Sequence, residues 1–338
     1  MTDTVATEES KPRRKWHFQP EDLNAQLAPF YHWPPRLGAA LEYIARSWSP
    51  FSVRIYVLGL SILTWFYFSP ALERCREFGF DWIAQIWLRN LLLMLVVAGS
   101  LHLYFYTFGK QGDDGKYDLR GMARNSRLFH FNDQVWDNMF WVLTSAVGFW
   151  SAYEVLMMWA YANGIAPFLA FSDNPAWFIF LLFVTPWWAG LHFYCQHRLL
   201  HIPFLYRVAH SWHHKNSNTG PWSGPAMHPI EHAIWLTDVL LFLFVASHPI
   251  HAIFILQFHA LTAVTSHTGF EELRLGKGIR IRMGDFFHQL HHRYCDCNYG
   301  TFETPWDQWL GTYHDGSAAG DAWIKQRRRA LYRQKAGA

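Results

Sequence analysis

Apolar residues in this chain come in blocks too long for one face of a soluble helix. Four blocks stand out, at about 51–67, 82–108, 135–161 and 175–195. Each is close to or above the ~20 residues that an α-helix needs to cross a bilayer. A fifth block, 233–264, is interrupted by Ser247, His248 and Pro249. Proline disfavours helix at the residue before it. This block therefore predicts a helical hairpin, with arms of ~15 residues, that enters the membrane and returns to the side it left. Residues 1–25 are polar and read as a solvated tail. In 26–50, Phe30, Tyr31, Trp33, Leu37, Leu41, Tyr43 and Ile44 mix with Arg36 and Arg46, an interfacial pattern. The fold class predicted is an all-α integral membrane helical bundle of about four spans plus the hairpin.

Charge orients the bundle. Residues 109–132 carry Lys110, Lys116, Arg120, Arg124 and Arg127, whereas 71–81 hold only Arg74 and Arg76 and 162–174 hold no Lys or Arg. Basic segments stay on the cytoplasmic side, so the N-terminus and the end of the fourth block are expected there. The net charge of +3 over 338 residues is too small to argue for nucleic acid. Met1 to Lys15 has no apolar core, so no cleaved signal peptide is expected. Four cysteines, Cys75, Cys195, Cys295 and Cys297, read as reduced thiols rather than a disulfide framework.

The chemistry lies in histidine. Eight of the 20 histidines fall into three clusters: His197 and His201; His210, His213 and His214; His288, His291 and His292. On a helix, positions i, i+3 and i+4 share a face. The last two histidines of each triplet diverge by ~100° about the axis, so one helix can serve two adjacent metals. Neutral imidazole suits iron, zinc and copper. An all-nitrogen, ligand-rich site favours iron and O2 chemistry over a single hydrolytic zinc. His228 and His267 are further ligand candidates, and His232 is a weaker one. His192, His248, His251 and His259 lie in apolar runs and read as packing histidines. Glu231, Asp238, Asp285, Glu271 and Asp307 are candidates to orient imidazoles. Trp177, Phe178, Phe180, Phe183, Trp187 and Trp188 are candidates for a lipid channel.

The order HxxxH, HxxHH, HxxHH resembles the fatty acid hydroxylase/sterol desaturase superfamily. His228-Pro229-Ile230-Glu231 is similar to its His-Pro-x-Glu element. Ser266-His267-Thr268-Gly269 is similar to its His-Ser-Gly element, with Thr268 in place of Ser. Asn298-Tyr299-Gly300, Trp306-Asp307 and Gly311-Thr312 resemble its closing signature. The resemblance covers roughly 180–314. It implies two non-haem iron ions that activate O2 as co-substrate, a cytosol-facing histidine-rich catalytic cap, and a lipid substrate of acyl or sterol type. The ligand set it implies is His197, His201, His210, His213, His214, His228, His267, His288, His291 and His292.

The expected organisation is a cytosolic tail and interfacial segment (1–50), a transmembrane region (51–175), a catalytic region (176–315) and a basic tail (316–338). The chain shows no GxGxxG, no cysteine set for an iron–sulfur cluster and no haem-binding His-Pro-Gly-Gly. A separate electron donor is expected, a ferredoxin or a cytochrome b5-type protein with its reductase. The membrane is a bacterial inner membrane or the endoplasmic reticulum. The competing classes are a histidine-rich metal transporter, which would hold its ligands near the bilayer midplane, and a zinc-dependent membrane hydrolase.

Overall fold

The computed structural model describes residues 16–20, 34, 36–276, 278–301 and 303–336. Most of the expected 1–25 tail, and 26–33 of the interfacial segment, lie outside the described residues. Helix α1 (Leu37–Ser47) turns Leu41 and Leu37 outward, as a helix lying in an interface does. Helix α2 (Val53–Leu63) starts on Ser52, whose hydroxyl accepts from Arg54 N, and ends in a π-helical turn at Thr64–Phe68.

Four helical runs are long and apolar enough to cross a membrane: Phe80–Thr107, Gln134–Ala162, Pro175–Leu200 and Pro249–Ser266. The first is α3 (Phe80–His102) with a π-helical end, and the second joins α4 (Gln134–Trp141) to α5 (Val147–Ala162) through a π-helical turn. The third is α6 (Pro175–Leu200), which opens on Asn174 with Pro175 in its first turn. α3 exposes Leu88, Leu92 and Val96, an apolar outer face that belongs in lipid. The protein is thus an integral membrane protein, and mostly helical.

The 51–67 block forms a shorter apolar helix, Val53–Phe68 with its π turn, which runs from Arg54, paired with Glu303 of the cap, to Trp65, edge-on to His248 at the far end of the bundle. The returning arm of the hairpin, α10 (Pro249–Ser266), is the fourth of these long apolar helices; it packs against α2, α3, α5 and α6 and is buried almost all round. The arms are unequal. The first is α9 (Pro229–Trp235) followed by a 3₁₀ stretch, Thr237–Leu243. Its tip nevertheless reaches the far end of the bundle, where Ser247 N donates to Pro167 O at 3.0 Å and Leu169 N to Ser247 O at 2.9 Å.

At the near end, α6 runs into α7 (Pro203–Leu205), a π-helical turn Tyr206–His210 and α8 (Ser211–His214). α10 leads into an antiparallel hairpin that the all-α expectation lacked, β1 (Glu272–Leu275) and β2 (Ile279–Arg282). α11 (Phe286–Tyr294), α12 (Trp306–Trp309) and α13 (Ala318–Ala336) follow. Tyr117, Phe286, Leu290, Tyr294 and Ile324 give this cap its own small core. Gly224 is required here: a Cβ would stand 2.0 Å from Ala263 O, so only glycine lets the 220–227 loop lie on α10 beside His267.

Candidate metal centre

Nine of the ten expected ligands meet in two adjacent groups. One donor atom from each of His197, His201, His210, His214 and His291 lies within 4.8 Å of the others, and His213, His267, His288 and His292 form a second such group. The motifs divide between the groups as helix geometry requires. α11 sends His291 to the first and His288 and His292 to the second. The second motif sends His210 and His214 to the first and His213 to the second. His210, however, sits in the π-helical turn rather than in a regular helix.

The proton positions show what the groups can hold. His197 Nδ1 donates to Tyr299 O at 2.6 Å and His291 Nδ1 to Cys297 O at 2.6 Å. His267 Nδ1 donates to Ala263 O at 2.8 Å, and His210 Nδ1 faces Glu231 Oε1 at 2.7 Å. A neutral imidazole carries one N–H. These contacts place it on Nδ1 and leave Nε2 a bare lone pair. The Nε2 atoms then confront one another: His197 and His210 at 3.0 Å, His210 and His214 at 3.0 Å, His214 and His291 at 3.0 Å, His267 and His292 at 2.9 Å. Between His197 and His210, whose protons both sit on Nδ1, the two lone pairs repel unless a cation lies between them. The donor set therefore fits two metal ions, with four of its imidazoles, His197, His210, His267 and His291, anchored through Nδ1.

Electrostatics agree. Burial, then the charge of neighbouring imidazoles, holds His210, His214, His288, His291 and His292 well below the usual imidazole range, so they are neutral at pH 7. Burial pushes the Glu231 carboxyl well up, and its Oε2 is buried without a partner. Positive charge behind His210 would sustain it as a carboxylate.

The closing signature is the clasp that presents the two carbonyls. Asp307 accepts from Tyr299 N at 2.9 Å, Gly300 N at 2.7 Å and Thr312 Oγ1 at 2.6 Å. Asn298, at φ 53°, donates to Phe287 O and His314 O and accepts from His314 N. Asp285 caps α11 by accepting from His288 N at 3.0 Å rather than from an imidazole. Glu271 accepts from the Tyr117 hydroxyl, away from the histidines.

His228 does not join either group. Its ring accepts from Ile230 N at 3.2 Å as the N-cap of α9 and stands edge-on to Trp212 at 4.5 Å. The element that contains it contributes Glu231 instead. His232 is held by Ser145 Oγ and Pro225 O, both at 2.9 Å. Cys295, which the sequence left as a plain thiol, sits at φ 61° with Sγ 3.3 Å from His214 Nδ1. A cavity of ≈570 Å³ reaches the second group, with His213, His267 and His288 in its wall, and extends past Phe193 and Met227 to Arg54. Its volume is that of a small-molecule site. Of the six aromatics proposed for a channel none lines it; Trp177 and Phe180 are exposed on the outside of α6.

The fatty acid hydroxylase family model matches residues 178–312. A Delta(7)-sterol 5(6)-desaturase of Eremothecium gossypii is 35% identical over 36% of this chain and 34% of its own length. One from Saccharomyces cerevisiae is 30% identical over 36% and 32%. A putative Delta(7)-sterol-C5(6)-desaturase of Arabidopsis thaliana is 29% identical over 41% and 50%. The chain spans about a third of the length of the first of these relatives. No solved structure matches it.

Proposed function

We propose, for a chain that belongs to the fatty acid hydroxylase/sterol desaturase superfamily through residues 178–312, that it is a di-iron oxidoreductase using O2 to hydroxylate or desaturate a membrane lipid. The observation that carries this reading is the pair of histidine groups, whose donor atoms converge and of which four imidazoles are anchored through Nδ1. Five histidines would hold one iron and four the other. An unactivated C–H bond offers no acidic proton and no leaving group, so the oxidising power is supplied by the bound metals.

The chain's own residues do the rest. Tyr299 O, Cys297 O and Glu231 orient ligands. Phe193 and Met227 keep the cavity apolar beside the four-histidine group. A lipid entering past Arg54 would present a carbon to that group, the one of the two with more than one ligand in the cavity wall.

A cytoplasmic cap follows from charge. The basic 109–132 segment bonds to the cap, with Asp118 Oδ2 accepting from Arg293 Nη1 at 2.9 Å and the Tyr117 hydroxyl donating to Glu271. The 162–174 loop, free of Lys and Arg, meets the hairpin tip at the opposite end. Electrons are supplied by a separate donor, a ferredoxin or a cytochrome b5-type protein with its reductase. The test compares membrane lipids of a strain with and without the gene. Loss of one oxidised lipid species and accumulation of its reduced precursor is expected; identical lipid profiles under aerobic growth contradict the proposal.

A further inference from the structure

Away from the two histidine groups, inside the bundle, a third set of donors meets. His192 on α6, Asp238 in the 3₁₀ stretch and His259 on α10 bring one donor atom each within 4.8 Å of the others. Their sequence positions suggested packing histidines and an orienting carboxylate. Asp238 is 1% exposed and His259 6%.

The hydrogen bonds assign the protons. The Thr237 hydroxyl donates to Ile234 O at 2.8 Å, so its oxygen accepts from His192 Nε2–H at 2.9 Å. His192 Nδ1 is then a bare lone pair, buried and without a partner. Asp238 Oδ2 meets His259 Nε2, but Asp238 Oδ1 is buried without a partner. Among the described residues no Lys or Arg pairs with Asp238. One unsatisfied imidazole nitrogen thus lies beside a carboxylate that has an unsatisfied oxygen of its own and is paired only with an imidazole. Buried acceptors without partners are rare in native proteins, and a buried carboxylate needs a counter-charge.

We propose that His192, Asp238 and His259 bind a third divalent transition-metal ion, separate from the pair in the histidine groups. Two imidazoles and one carboxylate are a donor set that zinc, iron and manganese all accept. Thr237 Oγ1 accepts from His192 Nε2 at 2.9 Å and Trp235 stands edge-on to His259 at 5.9 Å, so both imidazoles are held by neighbours, while the Trp188 indole N–H fixes the Asp238 backbone carbonyl at 3.3 Å. His259 also lines the cavity, which gives the ion a route to solvent.

The test counts metal in the full-length protein, freed of any affinity tag, by mass spectrometry. Three ions per chain are expected in wild type. Two are expected in Asp238→Asn and in His192→Gln, each taken only from protein that elutes as a folded species. An anomalous-scattering peak is expected between His192 and Asp238. An unchanged count in either folded variant, or two ions in wild type, overturns the proposal and leaves the trio hydrated by ordered water. The His291→Ala variant separates this from the reading of the histidine groups. It should lose metal while Asp238 keeps its ion, and no loss there sinks the di-iron reading alone.

Discussion

At the scale of single residues, the centre depends on groups that never touch metal. Glu231 holds the far nitrogen of His210 and has no other partner. Glu231→Gln keeps the length and removes the charge. Metal affinity, measured by chelator competition, should fall ~10–100-fold; an unchanged affinity would show that the carboxylate is incidental. His232 gives a pH prediction outside the ligand set. Burial pushes it down to about 4. The unfolded chain takes up a proton near pH 6.5, before the folded one does. Its contribution is therefore complete above about pH 6.5 and is lost as the pH falls toward about 4, an order of 3 kcal/mol. His232→Gln should flatten that limb of the stability profile, and an unaltered limb would assign it elsewhere. Eight of the nine grouped histidines were legible because their spacing is the spacing of the site, and His267 through the motif around it. His228 was misread, although a polar residue just before Pro229 is itself a helix-start signal. The closing signature marked the segment around Tyr299, but not that the carbonyls of Tyr299 and Cys297 hold imidazoles, because a contact to a backbone carbonyl leaves no trace in residue type.

Elements explain the charges inside the spans. Arg89 on α3 and Glu154 on α5 interrupt apolar runs, and the structure joins them in one ion pair, with Asn90 Nδ2 donating to Glu154 Oε2 at 3.1 Å and to Ser151 Oγ at 3.2 Å. Glu154 is 1% exposed. Arg89→Ala should cost about 3–5 kcal/mol by stranding that carboxylate, and Arg89→Met with Glu154→Met should recover most of it. Thermal unfolding in detergent checks this; equal losses for the single and double variants would contradict it. Span positions were legible because apolar length is a composition signal. The unequal hairpin arms were not, since Thr237 and Asp238 turn the first arm to meet α6 and α10. The β-hairpin had a signal that was passed over: Glu272–Leu275 and Ile279–Arg282 alternate polar and apolar residues around Gly276 and Gly278.

Over the whole molecule, the bundle has one basic end bearing the cap and one end without Lys or Arg in its 162–174 loop. Ile165 is exposed at the second end. In a chain with the exposed Cys195 replaced by Ser, Ile165→Cys should react with an impermeant thiol reagent from outside the cell membrane, and labelling only from the cytoplasm would invert the topology. The central claim is that the nine histidines hold two irons. The most direct measurement is the difference in iron content between the wild type and a His201→Ala/His213→Ala double variant, both folded and membrane-inserted. That difference is unaffected by metal bound elsewhere in the chain. Two irons lost per chain is the result predicted; no difference in iron would contradict it.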